Sequence, residues 1–408
     1  MQKTVNSVMR FAKNNFYSPE YNEEELSAFA EKDINGVLEF QKTHKSYNET
    51  PLYQLKQLAK HLNIADIRVK DESQRFGLNA FKVMGGIYAV AKYLAEQLGE
   101  NIENLSFEKL QSPKIKEKLG ELTFISATDG NHGRGVAWAA RELGHKCIIY
   151  LPKGSSIQRL TAIRDEGATA DITEINYDDT VRLCANLADT NGWIMVQDTA
   201  WDGYEEIPLW IMQGYASMAT EIVEQLKKDD AEPPTHIFLQ AGVGSFAAAI
   251  AGYMVRYYRD NPPIIVVVEP DQADCYYRSY STKEGSREIV TGEMNTIMAG
   301  LACGEPNTRA FELLRHYAVG ALSCHDSIAA LGMRVYGNPM QGDPRVISGE
   351  SGAVTLGVLY YLRKLADDPK VCQEISLDSN SRVLLISTEG DTDLAKYQQV
   401  VWEGLCPN

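Results

Sequence analysis

Short runs of β-branched and other apolar residues recur along this chain with stretches of helical spacing between them, and that alternation constrains the fold most. Residues 122–126, 147–151, 170–175 and 194–197 form one series of runs, and residues 237–240, 264–269 and 383–387 form a second. The second series is apolar enough to be buried on both faces, as strands are when helices cover both sides of a parallel sheet. Strands that alternate with helices make an α/β protein. Two series imply two open, twisted, mostly parallel sheets flanked by helices. At 408 residues the chain is long enough to bury two such cores, so two domains are expected. The polar stretch at 227–234 is read as a loop between a helix and a strand.

Composition narrows the partners. Hydrophobic residues at 44% and charged residues at 23% are ordinary for a globular chain, and no run reaches the roughly 18 apolar residues that span a bilayer. No membrane partner is expected. Residues 1–10 lack the apolar core of a secretory signal, which points to the cytoplasm. The net charge of −15, with no basic run, leaves no footprint for nucleic acid, so a small molecule is the expected partner. Seven scattered cysteines show no C-x-x-C pair and no metal-ligand spacing, and no metal is expected. Cys275 and Cys303 are far enough apart to close a long loop, but a reducing cytosol favours free thiols.

Open parallel sheets bind ligands beyond the carboxyl ends of their strands, so the turns that leave the strands are where chemistry is sought. Ser126-Ala127-Thr128-Asp129-Gly130-Asn131-His132-Gly133 leaves one strand and opens a helix. Its glycines admit a ligand close to the backbone. Asn131 can bond a ligand oxygen, and Asp129 is either an acid facing the site or a helix cap; His132 is read as structural. Gln240-Ala241-Gly242-Val243-Gly244-Ser245 precedes an apolar helix, an arrangement whose free N–H groups suit a phosphate. With Glu269 ending the next strand, the same glycines also match a dinucleotide fingerprint. That reading leaves the turn at Asp129 and the lysine described next without a role. Ser387-Thr388-Glu389-Gly390-Asp391 leaves the last strand with hydroxyls available to a ring nitrogen, or as helix caps.

Lys82 completes the set. Residues 67–69 read as a strand before it, and residues 86–94 have helical spacing after it, so it falls at a helix start, where a cation opposes the helix dipole. Phe81 precedes it, and Met84, Gly85 and Gly86 follow. Such an apolar setting is expected to lower an amine's pKa and make it a Schiff-base nucleophile.

These four features, in this order, resemble the fold-type-II, tryptophan-synthase-β-like pyridoxal-phosphate enzymes. Within that superfamily, residues 75–82, 128–135, 197–204 and 387–393 are most similar to the diaminopropionate ammonia-lyase family. The resemblance implies pyridoxal 5'-phosphate as cofactor, carried on Lys82 beside Phe81. Gly242, Val243, Gly244 and Ser245 would cradle its phosphate, Asn131 would bond the 3'-oxygen, and Ser387 or Thr388 would face the pyridine nitrogen. Glu350 would be an acidic residue near the cofactor. Residues 1–115 and 206–408 would form a large cofactor-binding domain and 116–205 a small domain inserted within it, with the active site between them. A homodimer is also implied.

The activity so implied is α,β-elimination from 2,3-diaminopropionate, giving pyruvate and two molecules of ammonia. Related dehydratases and racemases carry Ser where this chain has Asp129. A carboxylate there is a stronger base, so Lys82 and Asp129 are expected on opposite faces of the bound substrate, serving both enantiomers. Asp198 and Asp129 would keep the departing β-amine protonated. A serine or threonine dehydratase of the same fold is the alternative, which Asp129 and Asp198-Thr199-Ala200-Trp201 disfavour; an inert ligand sensor is a third reading.

Overall fold

A computed structural model describes residues 8–407. Residues 1–7, on which most of the signal-peptide reading rests, lie outside the described residues.

The described residues build two sheets. In chain order the strands are β1 Met9–Lys13, β2 Leu52–Gln54, β3 Asp66–Asp71, β4 Thr123–Ala127, β5 Lys146–Leu151, β6 Thr169–Ile172, β7 Ile194–Met195, β8 His236–Gln240, β9 Ile264–Pro270, β10 Ala318–Cys324 and β11 Arg382–Ser387. Seven pair in the order β1-β10-β9-β8-β11-β3-β2, and four in the order β6-β5-β4-β7. The four-stranded sheet is wholly parallel. The larger sheet is parallel through its five central strands, and β1 and β2 close its edges antiparallel. Every residue of β8 is buried, as a strand covered by helices on both faces requires.

Differences from the sequence reading have local causes. The run at 194–197 forms only a two-residue strand. Beyond it the Gln197 side chain takes over the ladder's role, its Oε1 accepting from the Ala127 N–H at 3.0 Å and from Ser126 Oγ at 2.9 Å. β10 was not foreseen, because Ala-Val-Gly-Ala-Leu-Ser-Cys has little β-branched character. Its Gly320 is required by packing, since a Cβ there would lie 2.5 Å from the Phe11 ring of β1.

The helix Val83–Leu98 joins the two sheets. On one side it crosses the long helix Glu206–Lys228 so closely that a Cβ on Gly214 would lie 2.7 Å from Gly85 Cα. On the other it meets Asn131–Leu143, the helix that follows β4, and a Cβ on Gly135 would lie 2.8 Å from Val83 Cα. Backbone contact on both flanks fixes the start of this helix between the sheets. The loop expected between the long helix and β8 is present at residues 229–235, Lys227 and Lys228 of the polar stretch being the last residues of the helix. Among the described residues no helix is long and apolar enough to cross a membrane.

Candidate active site

Lys82 caps the helix Val83–Leu98 and is placed by the segment before it. Phe76, Gly77 and Asn79 all have positive φ, at 52°, 74° and 61°. For Phe76 this is a strained conformation, and the His44, Tyr47 and Trp138 rings packed around it hold it there. The Phe81 N–H donates to the Thr388 carbonyl and the Gly390 N–H to the Asn79 carbonyl, each at 3.0 Å, so the lysine segment is fastened to the turn after β11.

The Lys82 ammonium lies 3.2 Å from Asp198 Oδ2 and 3.6 Å from Asp129 Oδ1. This overturns the expectation of a lowered pKa. Burial does push the amine down, but the Asp198 and Asp129 carboxylates together outweigh it and hold it well above its ordinary value. The two acids arrive from the ends of β7 and β4. Burial opposes the charged form of Asp198, yet its carboxyl sits below its ordinary value because His132 and Lys82 lie beside it. Burial lowers the His132 pKa, against the pull of the Asp198 carboxylate. His132 is buried and donates through Nε2 to the Val196 carbonyl at 2.8 Å, which accords with a structural role.

Across the cavity, Gly242, Val243, Gly244 and Ser245 lead into the helix Ser245–Tyr257. The Val243 carbonyl is engaged from outside, accepting from the Asn307 N–H at 2.8 Å and from Tyr276 Oη at 3.1 Å. The first N–H groups of a helix have no partner within it. Gly244, at φ +94°, lies against Tyr276 with no space for a Cβ. Ser245 Oγ donates to the Asp198 carbonyl and accepts from Asn307 Nδ2 at 2.8 Å, tying the glycine turn to the Asp198 strand end.

Thr388 and Ser387 part company. Thr388 lines the cavity, and its Oγ1 accepts from Gln240 Nε2 at 2.9 Å, which leaves its O–H to donate inward. Ser387 Oγ points away and donates to Ser348 Oγ at 2.8 Å. Asn131 lines the cavity and donates through Nδ2 to Glu389 Oε2 at 2.6 Å. Phe81 is wedged between the Tyr215 and Phe246 rings, each centroid 4.7 Å away.

Glu350 starts the helix Glu350–Tyr360, but it faces a neighbouring cavity of about 430 Å³ that it shares with Asp129 and Arg159. Burial and the nearby Glu389 carboxylate push its carboxyl upward. It is Glu389 that stands on the wall of the Lys82 cavity, together with Ser351, Tyr215 and Cys303. The sequence offered Glu389 only as a neighbour of Thr388, with nothing to mark it as buried.

The residues fit pyridoxal phosphate. Asp129 Oδ2, Gln240 Oε1 and Ser351 Oγ are buried polar atoms at the site without a protein partner. A ligand with polar edges, a phosphate and an aldehyde would meet those atoms, the open N–H groups of the glycine turn and the Lys82 amine. The dinucleotide alternative fails on Glu269. It is fully buried and accepts from the Tyr276 and Tyr277 N–H groups at 2.9 and 2.8 Å, so it is turned into the protein. All seven cysteines are free thiols, Cys275 and Cys303 included.

Comparison with known proteins agrees with this geometry. Residues 44–378 match the family described as pyridoxal-phosphate dependent enzyme. A diaminopropionate ammonia-lyase of Salmonella typhimurium is 52% identical over 369 residues, covering 90% of this chain and 91% of its own. The Escherichia coli diaminopropionate ammonia lyase in complex with D-serine superposes with a TM-score of 0.90 at 47% identity, covering 98% of both chains. The same enzyme in complex with an aminoacrylate-PLP azomethine reaction intermediate gives 0.88 at 48% identity, again over 98% of both chains. The chain therefore belongs to the pyridoxal-phosphate dependent enzymes and, within them, to the diaminopropionate ammonia-lyase family.

Proposed function

We propose that the protein is a carbon–nitrogen lyase that converts 2,3-diaminopropionate and water to pyruvate and two ammonia, accepting the L and the D enantiomer. The observation that carries this reading is the pair of carboxylates, Asp198 and Asp129, 3.2 and 3.6 Å from Lys82 Nζ. When bound, pyridoxal 5'-phosphate supplies the electron sink for charge developing at Cα. The remaining work falls to the chain. Lys82 holds the cofactor, and its Nζ, once freed, takes the Cα proton of the L substrate. Asp129 takes that of the D substrate; the D-serine complex of the Escherichia coli relative supports a site able to hold a D amino acid. Asp198 relays protons to and from Lys82 Nζ and, with Asp129, keeps the β-amine an ammonium until it leaves as NH₃. Expelling hydroxide, as a serine dehydratase does, needs only a proton donor. The 2-aminoacrylate that leaves hydrolyses to pyruvate and the second ammonia.

Asn131 would meet the cofactor's 3'-oxygen, the glycine turn its phosphate and the Thr388 hydroxyl its ring nitrogen, while Ser387 supports the turn from behind. A neutral hydroxyl would donate a hydrogen bond to that nitrogen without transferring its proton. The test is product analysis: pyruvate and two equivalents of ammonia from diaminopropionate, against little from serine or threonine. Lys82→Ala should lose the bound cofactor's absorbance and essentially all turnover, and normal turnover in that variant would sink the assignment.

The reading extends to organisation. Residues 1–115 and 206–408 form the large domain and 116–205 the inserted small one, supported by β4 to β7 all falling in the second range. The protein works in the cytoplasm, in amino-acid breakdown, as a homodimer. Light scattering at micromolar concentration should give twice 45.4 kDa; a species of that single mass alone would rule the dimer out.

A further inference from the structure

Glu389 is a carboxylate on the cavity wall that no step of the elimination uses. It is 2% exposed, yet both its oxygens are engaged: Oε2 accepts from Asn131 Nδ2 at 2.6 Å and Oε1 from the Ser351 N–H at 3.1 Å. Its main chain is held as well, the carbonyl accepting from the Gly349 N–H at 3.0 Å while the residue forms an antiparallel bridge with Ala80. Glu389 is therefore fixed from three sides, and the only one of these partners from the four-stranded half is Asn131, which opens the helix after β4.

The chemistry of this contact is directional. A primary amide can present either its oxygen or its nitrogen to a neighbour, whereas an ionised carboxylate only accepts. With Glu389 behind it, Asn131 has to turn its nitrogen toward the carboxylate, and a flipped amide would set its oxygen against Glu389 Oε2. One N–H is used in that bond and the second remains for the cavity. We propose that Glu389 is a positioning residue that locks the Asn131 amide so that an N–H, and not the carbonyl oxygen, is offered to the 3'-oxygen of the cofactor. A donor there favours the ionised 3'-oxygen and an acceptor favours its protonated form. The inference rests on the cofactor reading above.

The test uses the holoenzyme and reads the absorption bands of the bound cofactor, which report the ionisation of the 3'-oxygen without turnover. Glu389→Gln keeps the volume but lets the two amides turn together, so the ratio of the long- to the short-wavelength band should fall about tenfold, the scale of one lost charge-assisted hydrogen bond. Asn131→Ala should lower the ratio similarly, and the double variant should fall no further than Asn131→Ala alone. A residue that merely supported the fold would lower melting temperature or cofactor affinity in Glu389→Gln with the band ratio unchanged, and that result overturns the proposal. So does an additive fall in the double variant, or an unaltered ratio in Asn131→Ala, which stands whether or not Glu389→Gln folds. A wild-type protein that takes up no pyridoxal phosphate would instead bring down the functional reading, and this one with it.

Discussion

The proposed use of both enantiomers turns on a single residue, Asp129. Its Oδ1 is 3.6 Å from Lys82 Nζ, while Oδ2 is buried without a protein partner, so the group is held by the lysine and left open on its other edge. If Lys82 serves the L substrate and Asp129 the D substrate, Asp129→Asn should suppress D turnover far more than L turnover. A positioned base contributes about 10² to 10⁴ in rate, so the D-to-L ratio of kcat/KM should fall by at least about 10². Asparagine keeps the volume, and cofactor absorbance should be retained. Equal loss with both enantiomers would mean that Asp129 manages the departing ammonia and that two bases do not act. Other single residues mark where sequence reading stops. Ser387 and Thr388 stood as equals because neighbours at a strand end point to opposite sides, and only a structure tells which faces the ligand. The same holds for Glu350 and Ser351, about 100° apart around their helix, of which Ser351 reaches the cavity and Glu350 the space behind Asp129. Glu389 was passed over because burial of a charge leaves no mark in a sequence when its partner, Asn131, is 258 positions away.

Among the elements, legibility follows burial. The central strands β8, β9 and β11 were readable because helices on both faces demand unbroken apolar runs, and β3 was read from its core at 67–69. The edge strands β1 and β2 carry mixed residues, and β10 is built of small ones, so none gives a strand signal of its own. The helices were harder to place than the strands, and their most telling residues are glycines. In the sequence, Gly85 and Gly86 counted only as part of the apolar setting around Lys82. In the fold, absence of a side chain lets the Val83–Leu98 helix touch Glu206–Lys228 through Gly214 and Asn131–Leu143 through Gly135. Close-packed backbones have no room to slide. Lys82 thus takes its position from two helix contacts, one to each half of the molecule. The pattern Lys-Val-Met-Gly-Gly marked an apolar setting for the amine, but the glycines that receive this helix, Gly135 and Gly214, lie far off in sequence and could not be paired with it.

For the whole molecule, the segment that delivers Lys82 is anchored by a buried ion cluster that ties together distant parts of the chain. Lys70 on β3, Glu72 and Arg75 in the turn after it and Glu221 in the long helix are each no more than 1% exposed. Lys70 Nζ and Arg75 Nη2 both lie 2.7 Å from Glu221 Oε2, and Arg75 Nε lies 2.8 Å from Glu72 Oε2. Two cations meet two carboxylates, so the cluster is neutral as a unit. Removing one member leaves an uncompensated buried charge, which costs about 3–5 kcal/mol. Arg75→Met should therefore lower the unfolding free energy in urea by about that much at neutral pH, although no atom of Arg75 reaches the cavity. The effect should also depend on pH with a definite sign. Burial would raise the Glu221 carboxyl, but Arg75 and Lys70 outweigh burial and hold it below its ordinary 4.5. As the pH falls from 4.5 the unfolded chain takes up this proton first, so the stability Glu221 contributes is complete above that range and drains away below it. The gap between wild type and Arg75→Met should then close as the pH is stepped down from 4.5, as followed by urea midpoints at constant ionic strength. A gap that stayed the same through that range would show that the arginine acts through packing and that the charges in the cluster are not what hold the lysine segment in place.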